Sequence, residues 1–94
     1  MKREKVESLE DARNRVDAID DALIELIATR QFYVDQVIRF KRKSEDIKSP
    51  RIEEVIEKVC VQASEQGLDP ELIENIYREM IQHFIRRELK EIRP

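Results

Sequence analysis

Apolar residues in the first half of the chain recur at helical spacing, but one position of the pattern holds a cation. From Ala12 to Lys43 the sequence ARNRVDAIDDALIELIATRQFYVDQVIRFKRK contains no glycine or proline, which predicts one long amphipathic helix. Val16, Leu23 and Val37 lie on one heptad line of this helix. The residue that completes the line is Arg30, so an arginine lies where a leucine is expected.

A neighbouring heptad line on the same face is also interrupted by charge. It contains Asp20, Ile27, Val34 and Lys41, and it extends back to Arg13. The predicted apolar face therefore carries a cation near its start, its middle and its end. This pattern is the main functional clue in the sequence.

The length of the first helix favours association of two chains. Ser8 is a candidate N-cap with Asp11 at the third position of a capping box, so the helix is expected to run from about residue 8 to 43. Such a helix is roughly 54 Å long, whereas a compact chain of 94 residues has a diameter on the order of 30 Å. The overhanging apolar stripe predicts a two-fold homodimer.

Two shorter helices are predicted in the second half of the chain. Ser44 to Ser49 is polar and predicts a loop, and Ser49 followed by Pro50 is typical of a helix start. Gly67 is expected to end this second helix, with Leu68 as the accompanying apolar contact. The predicted inward positions of this helix are Ile52, Val55, Ile56, Val59 and Ala63.

Asp69 and Pro70 repeat the start signal, and a third helix is predicted to continue to about Ile92. Glu88 lies one heptad after Ile81, which places a carboxyl group inside the apolar stripe of this helix. The expected inward positions are Ile73, Ile76, Tyr77, Met80, Ile81, Phe84, Ile85 and Leu89. The fold class predicted is therefore all-α, with three helices in one domain that spans residues 1–94.

Composition supports this architecture and limits the possible functions. The chain is 41% charged and 40% hydrophobic with a single glycine, and its net charge of −3 does not favour nucleic acid or an anionic membrane as partner. Cys60 is the only cysteine, so no intrachain disulfide is expected and a reducing compartment is favoured. Because the N-terminus lacks the apolar core of a signal peptide and no stretch spans a bilayer, a cytoplasmic location is expected.

Arg30 and Lys41 form the candidate constellation. They are eleven residues apart, which places them about 20° from alignment and roughly 16 Å apart along the helix. Long cationic side chains that lean toward each other could bracket a small dianion between Val34 and Val37. A purely structural interpretation remains open, in which buried ion pairs neutralise the cations. The candidate pairs are Arg30 with Glu88 and Arg13 with Asp20.

Other candidate residues are weaker. His83 has no second histidine or cysteine at ligand spacing, so a metal site is not expected. Cys60 is interpreted as a small core residue. The basic run at Arg39, Lys41, Arg42 and Lys43 is interpreted as a solvated helix end, and the cations near the C-terminus suit the helix dipole. These C-terminal cations are Arg86, Arg87, Lys90 and Arg93.

Taken together, these residues resemble the all-helical chorismate mutases, and within that family the branch close to isochorismate-pyruvate lyase. The resemblance covers nearly the whole chain. It includes the segment RVDAIDDALIELIATR that ends at Arg30, the VIRFK run that ends at Lys41, the P-R-I helix start and the segment GLDPELIENIYREMIQHFIRRE. The resemblance implies an intertwined homodimer with two equivalent sites, and it implies that Arg13 reaches into the site of the partner chain.

Site residues follow from the resemblance by position. Arg13 and Arg30 resemble the residues that bind the two substrate carboxylates, and Lys41 resembles the donor to the ether oxygen. Glu88 lies where many members have a glutamine that donates to the same oxygen. Arg51 resembles the family's arginine of the second helix, although Ile52 takes that position if no gap is placed in the preceding loop.

The resemblance also extends to the apolar part of the site. Phe84 replaces a small polar residue of typical mutases, and lyase-like members carry an aromatic there. The resemblance implies the rearrangement of chorismate to prephenate without a cofactor or metal. Lyase activity on isochorismate, an aminodeoxychorismate mutase activity and a non-catalytic helical dimer remain as alternatives.

Overall fold

The computed structural model describes residues 2–40 and 51–92, and three helices account for most of this part of the chain. They are α1 (Leu9–Phe40), α2 (Arg51–Glu65) and α3 (Pro70–Ile92). No strand occurs among the described residues, so the predicted all-α class is confirmed. The predicted end of the first helix near Lys43, the loop from Ser44 to Ser49 and the helix start at Pro50 all lie outside the described residues.

The start of α1 is capped by Ser8, as predicted. The Ser8 hydroxyl oxygen accepts a hydrogen bond from the Asp11 amide at 3.1 Å, and the Ser8 carbonyl accepts one from the Ala12 amide at 3.0 Å. The reciprocal half of the capping box, from the Ser8 amide to the Asp11 carboxylate, is not formed among the described residues. Aspartate is one methylene shorter than the glutamate that usually closes this box.

The chain divides into two compact units, Met1–Val37 and Ile38–Pro94. In the first unit, the apolar stripe of α1 is open to solvent. Val16 is 56% exposed, Leu23 50% and Val37 52%, and α1 contains no buried residue along its described length. The stripe that the sequence predicts is therefore present, and it is exposed at these three positions.

In the second unit, α2 packs against α3 and the core lies between them. The buried apolar residues are Ile56 and Ala63 from α2 and Phe84 and Ile85 from α3. These positions belong to the predicted stripes. The prediction for Ile76 is wrong, because this residue is expected to face inward but is 48% exposed.

The turn between α2 and α3 follows the local rules that the sequence indicates. Gly67 has a φ of 79°, and two hydrogen bonds complete a Schellman motif. They run from the Leu68 amide to the Ala63 carbonyl at 2.8 Å and from the Gly67 amide to the Ser64 carbonyl at 3.1 Å. The Asp69 carboxylate then accepts from the Glu71 amide at 2.9 Å and caps α3.

Replacing Gly67 with alanine is expected to destabilise the α2–α3 hairpin by about 1 kcal/mol, because a side chain is strained at positive φ. A Cβ at this position meets no atom within 4 Å, so the cost comes from the backbone alone. Urea unfolding of the two proteins measures the difference. Gly67→Asn is the matched control and should lose less stability, since asparagine tolerates this conformation. Equal stability of the alanine variant and the wild type would contradict this explanation.

An exposed ion-pair network joins α2 and α3 on the surface of this unit. The Arg78 guanidinium donates two hydrogen bonds of 3.1 Å to the Glu53 carboxylate and one of 2.8 Å to Glu74. The hydrogen bonds and charge of Arg78 hold the pKa of Glu53 below its ordinary value. The pair therefore adds stability above the ordinary glutamate pKa and loses it as pH falls through the lowered value. The groups are well exposed, so the effect is small.

Candidate active site

The candidate residues of α1 share one helical face. Arg30, Val34 and Val37 are separated by four and three residues, so they follow one another along this face. Arg30 and Val34 are partly buried, whereas Val37 is exposed. The face therefore presents a guanidinium group next to two small apolar side chains.

Arg13 lies off the heptad line of Arg30 on α1. Its separation of 17 residues from Arg30 corresponds to a rotation of about 100°. Arg13 and Asp20 are both exposed, and no ion pair joins these two described residues. This part of the structural interpretation, a buried ion pair between Arg13 and Asp20, is therefore wrong.

Lys41 lies outside the described residues, together with Arg42 and Lys43 of the basic run. Arg39, the described member of that run, is exposed, and its guanidinium carbon is 5.7 Å from the centre of the Phe40 ring. The Phe40 side chain is 82% exposed. The role of Lys41 therefore stays a prediction from the sequence.

Arg51 is the first residue of α2 and is exposed. Its Nη1 atom is 3.6 Å from the Glu54 carboxylate, and both side chains are 66% exposed. Ile52, the alternative occupant of the family position, is partly buried on the face of α2 that carries Ile56. An exposed ion pair of this type is weak, so an anion can compete with Glu54 for the Arg51 guanidinium.

Phe84 and Glu88 bring an aromatic ring and a carboxyl group together on α3. They lie one helical turn apart, and they are 5% and 7% exposed respectively. Glu88 is the buried charged residue of the described chain, and its location inside the apolar stripe is the one that the heptad pattern predicts. Glutamate is rarely buried in folded proteins, which makes Glu88 a functional candidate.

Arg87 is interpreted from the sequence as a cation that suits the helix dipole, and this interpretation is incomplete. Its side chain is only partly exposed, and its guanidinium carbon lies 5.9 Å from the centre of the Phe84 ring. The signal was available in the spacing, because residues three apart are neighbours on a helix surface. Arg87 therefore lies at the edge of the buried stripe, beside Phe84.

Cys60 and His83 are the weaker candidates, and both lie in the second unit. The Cys60 thiol donates to the Pro70 carbonyl oxygen at 3.7 Å, and Cys60 is partly buried. His83 is exposed, and its ring meets the Phe84 ring at 6.0 Å in an edge-to-face arrangement. Within the described residues, no cluster of three histidine, cysteine or acidic side chains is arranged to hold a metal ion.

No helix in the described ranges is long and apolar enough to cross a membrane. Over the described residues, the three helices define an all-α protein. The sequence matches the family model described as chorismate mutase type II over residues 12–89. The chain therefore belongs to the chorismate mutase type II family.

A curated relative gives a second comparison. The chain is 29% identical to an isochorismate pyruvate lyase of Pseudomonas aeruginosa over 83 residues, which is 87% of this chain and 82% of the relative. The search of solved structures gives no significant match. The resemblance read from the cations and their spacing is thus confirmed at the level of the family.

Proposed function

We propose that the chain is a chorismate mutase that converts chorismate to prephenate. The observation that carries the proposal is the family match, which spans residues 12–89 and so includes the proposed site residues from Arg13 to Glu88. The reaction breaks the ether C–O bond of the substrate while a new C–C bond forms within the same molecule. A pericyclic step of this kind needs a folded substrate conformer and stabilisation of charge on the ether oxygen.

The cations of the proposed site hold the folded substrate conformer and stabilise the charge on the ether oxygen. Arg13 and Arg30 bind the two carboxylates of the substrate, because a guanidinium group matches a carboxylate with two parallel hydrogen bonds. Lys41 donates to the ether oxygen as negative charge develops there. Arg51 contributes a further positive group. These roles are supported by the resemblance of the residues to the family pattern.

The apolar residues hold the substrate ring. Val34 and Val37 lie on the Arg30 face of α1, and Phe84 provides a ring that is 5% exposed. Apolar walls with a few placed polar groups are typical of sites for small molecules. In this proposal they restrict the substrate to the folded conformer that reacts.

Replacement of Glu88 with glutamine is expected to widen the pH range of activity toward neutral pH. A carboxyl group donates a hydrogen bond to the ether oxygen only when it is protonated, whereas an amide donates at any pH. Wild-type kcat should therefore rise as pH falls, and above the pKa of the group it should drop about tenfold per pH unit. The measurement is kcat for chorismate from mildly acidic to neutral pH.

Glu74→Gln is the matched control for this experiment, since Glu74 lies on the same helix and accepts from Arg78 on the surface. Its pH profile should follow that of the wild type. A wild-type profile that stays flat from mildly acidic to neutral pH would contradict the role of Glu88.

The proposal includes a two-fold homodimer whose functional domain spans residues 1–94. Large apolar side chains along α1 are exposed, from 36% at Ile27 to 82% at Phe40. An apolar surface of this extent is unusual for a monomer and favours association. A second copy of the chain that covers α1 also allows Arg13 to complete the site of its partner.

Isochorismate-pyruvate lyase activity is the second candidate function. It is favoured by the curated relative of that name and by the aromatic residue at Phe84. The same cations suit both substrates, because both are cyclic dicarboxylates with an ether oxygen. The two functions differ in their products, since the lyase releases pyruvate.

The purified chain should be offered equal amounts of chorismate and isochorismate, with products separated by chromatography over time. We expect prephenate to be the main product. Pyruvate as the main product would replace the first function by the second. Consumption of neither substrate by the folded protein would contradict both and would favour a non-catalytic helical dimer.

A further inference from the structure

The ring of Phe84 has a cationic neighbour whose position is specific. The guanidinium carbon of Arg87 is 5.9 Å from the ring centre, within the distance at which a cation is attracted to the face of an aromatic ring. Both residues belong to α3 and are three positions apart, so the contact is set by the helix itself. Neither residue of this contact belongs to α1.

The Arg87 side chain is held at the protein surface rather than extended into water. Its Nη1 atom is shielded from solvent, whereas the neighbouring Arg86 is exposed. Shielding removes water from the charged group, and this costs free energy. A cation that interacts only with the helix dipole would therefore be more stable when exposed. The contact with the Phe84 ring offsets part of that cost.

Arg87 and Glu88, which lie about one helical turn after Phe84, have different roles in the proposal. Glu88 is 7% exposed and is the proposed donor, whereas Arg87 contacts the ring that is proposed to hold the substrate. On its other side the Phe84 ring meets His83 at 6.0 Å, edge to face. The ring is thus contacted along its own helix by the residue before it and by the residue three positions after it.

We propose that Arg87 is a positioning residue, which fixes the orientation of the Phe84 ring and so shapes the apolar wall against which the substrate folds. The inference rests on the proposed function, in which Phe84 contacts the substrate. Arg87 acts through Phe84 and does not itself bind the substrate. Its loss therefore lowers kcat more than it raises KM, because a mobile ring selects the reactive conformer less well.

The test compares three variants of the full chain. Arg87→Met removes the charge but keeps the length of the side chain, and Arg87→Lys restores the charge. Arg86→Met is the matched control, since it removes the same charge at the exposed neighbouring position. Circular dichroism checks folding, and the aromatic ring resonances of the protein labelled with ¹³C-phenylalanine report on Phe84. The chain has three phenylalanines, so the Phe84→Leu variant identifies the signal.

We expect Arg87→Met to shift the Phe84 ring resonances and to lower kcat for chorismate about tenfold, which corresponds to about 1.4 kcal/mol. Arg87→Lys should recover most of the loss. Arg86→Met should change neither the ring resonances nor kcat.

Unchanged Phe84 resonances in Arg87→Met, or equal effects of Arg86→Met, would overturn the proposal. If Arg87→Met does not fold, Arg87→Gln, which also lacks the charge, takes its place: a shift of the Phe84 resonances supports the inference, and no shift overturns it. Turnover of neither chorismate nor isochorismate by the wild type would overturn the proposed function instead. The ring resonances would still decide whether Arg87 positions Phe84.

Discussion

Replacement of Arg30 by alanine is expected to lower kcat/KM for chorismate by about 10²–10³-fold without loss of helicity. A guanidinium group that forms two hydrogen bonds with a substrate carboxylate in a desolvated site is worth several kcal/mol, and alanine leaves that carboxylate unpaired. Arg30 is partly buried on the α1 face that also carries Val34. Initial rates measured over a range of chorismate concentrations, with circular dichroism of the same samples, check this prediction.

Arg15→Ala is the matched control for this variant. Arg15 is an arginine of the same helix, but its side chain is 61% exposed and lies 3.9 Å from the Glu4 carboxylate in a surface ion pair. Such a pair contributes little, so activity should stay close to that of the wild type. If the Arg30→Ala protein keeps wild-type activity, Arg30 does not belong to the site and has only a structural role.

Mixing two inactive variants should restore activity if Arg13 serves the site of the partner chain. In a heterodimer of Arg13→Ala and Arg30→Ala chains, one site has both arginines and the other has neither. Random exchange of equal amounts gives heterodimers as about half of all dimers, so about a quarter of the wild-type number of sites should function. The measurement is the rate of the mixture after subunit exchange, compared with each variant alone.

The control mixture combines Arg30→Ala with Lys41→Ala. Both residues are assigned to the site of their own chain, so each site of that heterodimer lacks one cation and the mixture should stay inactive. Activity restored in the control mixture, or absent from the Arg13→Ala and Arg30→Ala mixture after confirmed exchange, would contradict the assignment of Arg13 to the partner's site.

Much of the fold follows from local rules that act within a few residues. Ser8, Gly67 and Asp69 each form the cap that its residue type and spacing predict, because capping depends on neighbouring backbone groups alone. Glu88 was placed in the buried stripe of α3 by its heptad spacing from Ile81, and it is 7% exposed. The burial of this candidate site residue was therefore predictable from periodicity.

Features that depend on packing were predicted less well. Ile76 lies on a predicted inward line but is 48% exposed. Periodicity predicts the side of the helix on which a residue lies, but it does not predict whether a neighbouring helix covers that position. Arg87 is interpreted from its charge and position as a cation that suits the helix dipole, whereas it also contacts the ring of Phe84. Charge type alone does not reveal such a contact, since long cationic side chains can lie along apolar surfaces.

The most direct test of the proposed mutase activity is the rate at which the purified chain forms prephenate from chorismate, measured against the same buffer without protein. We expect a saturable rate far above that of the uncatalysed rearrangement, with prephenate equal in amount to the chorismate consumed. A rate equal to that of buffer, from protein that is helical and dimeric in solution, would contradict it.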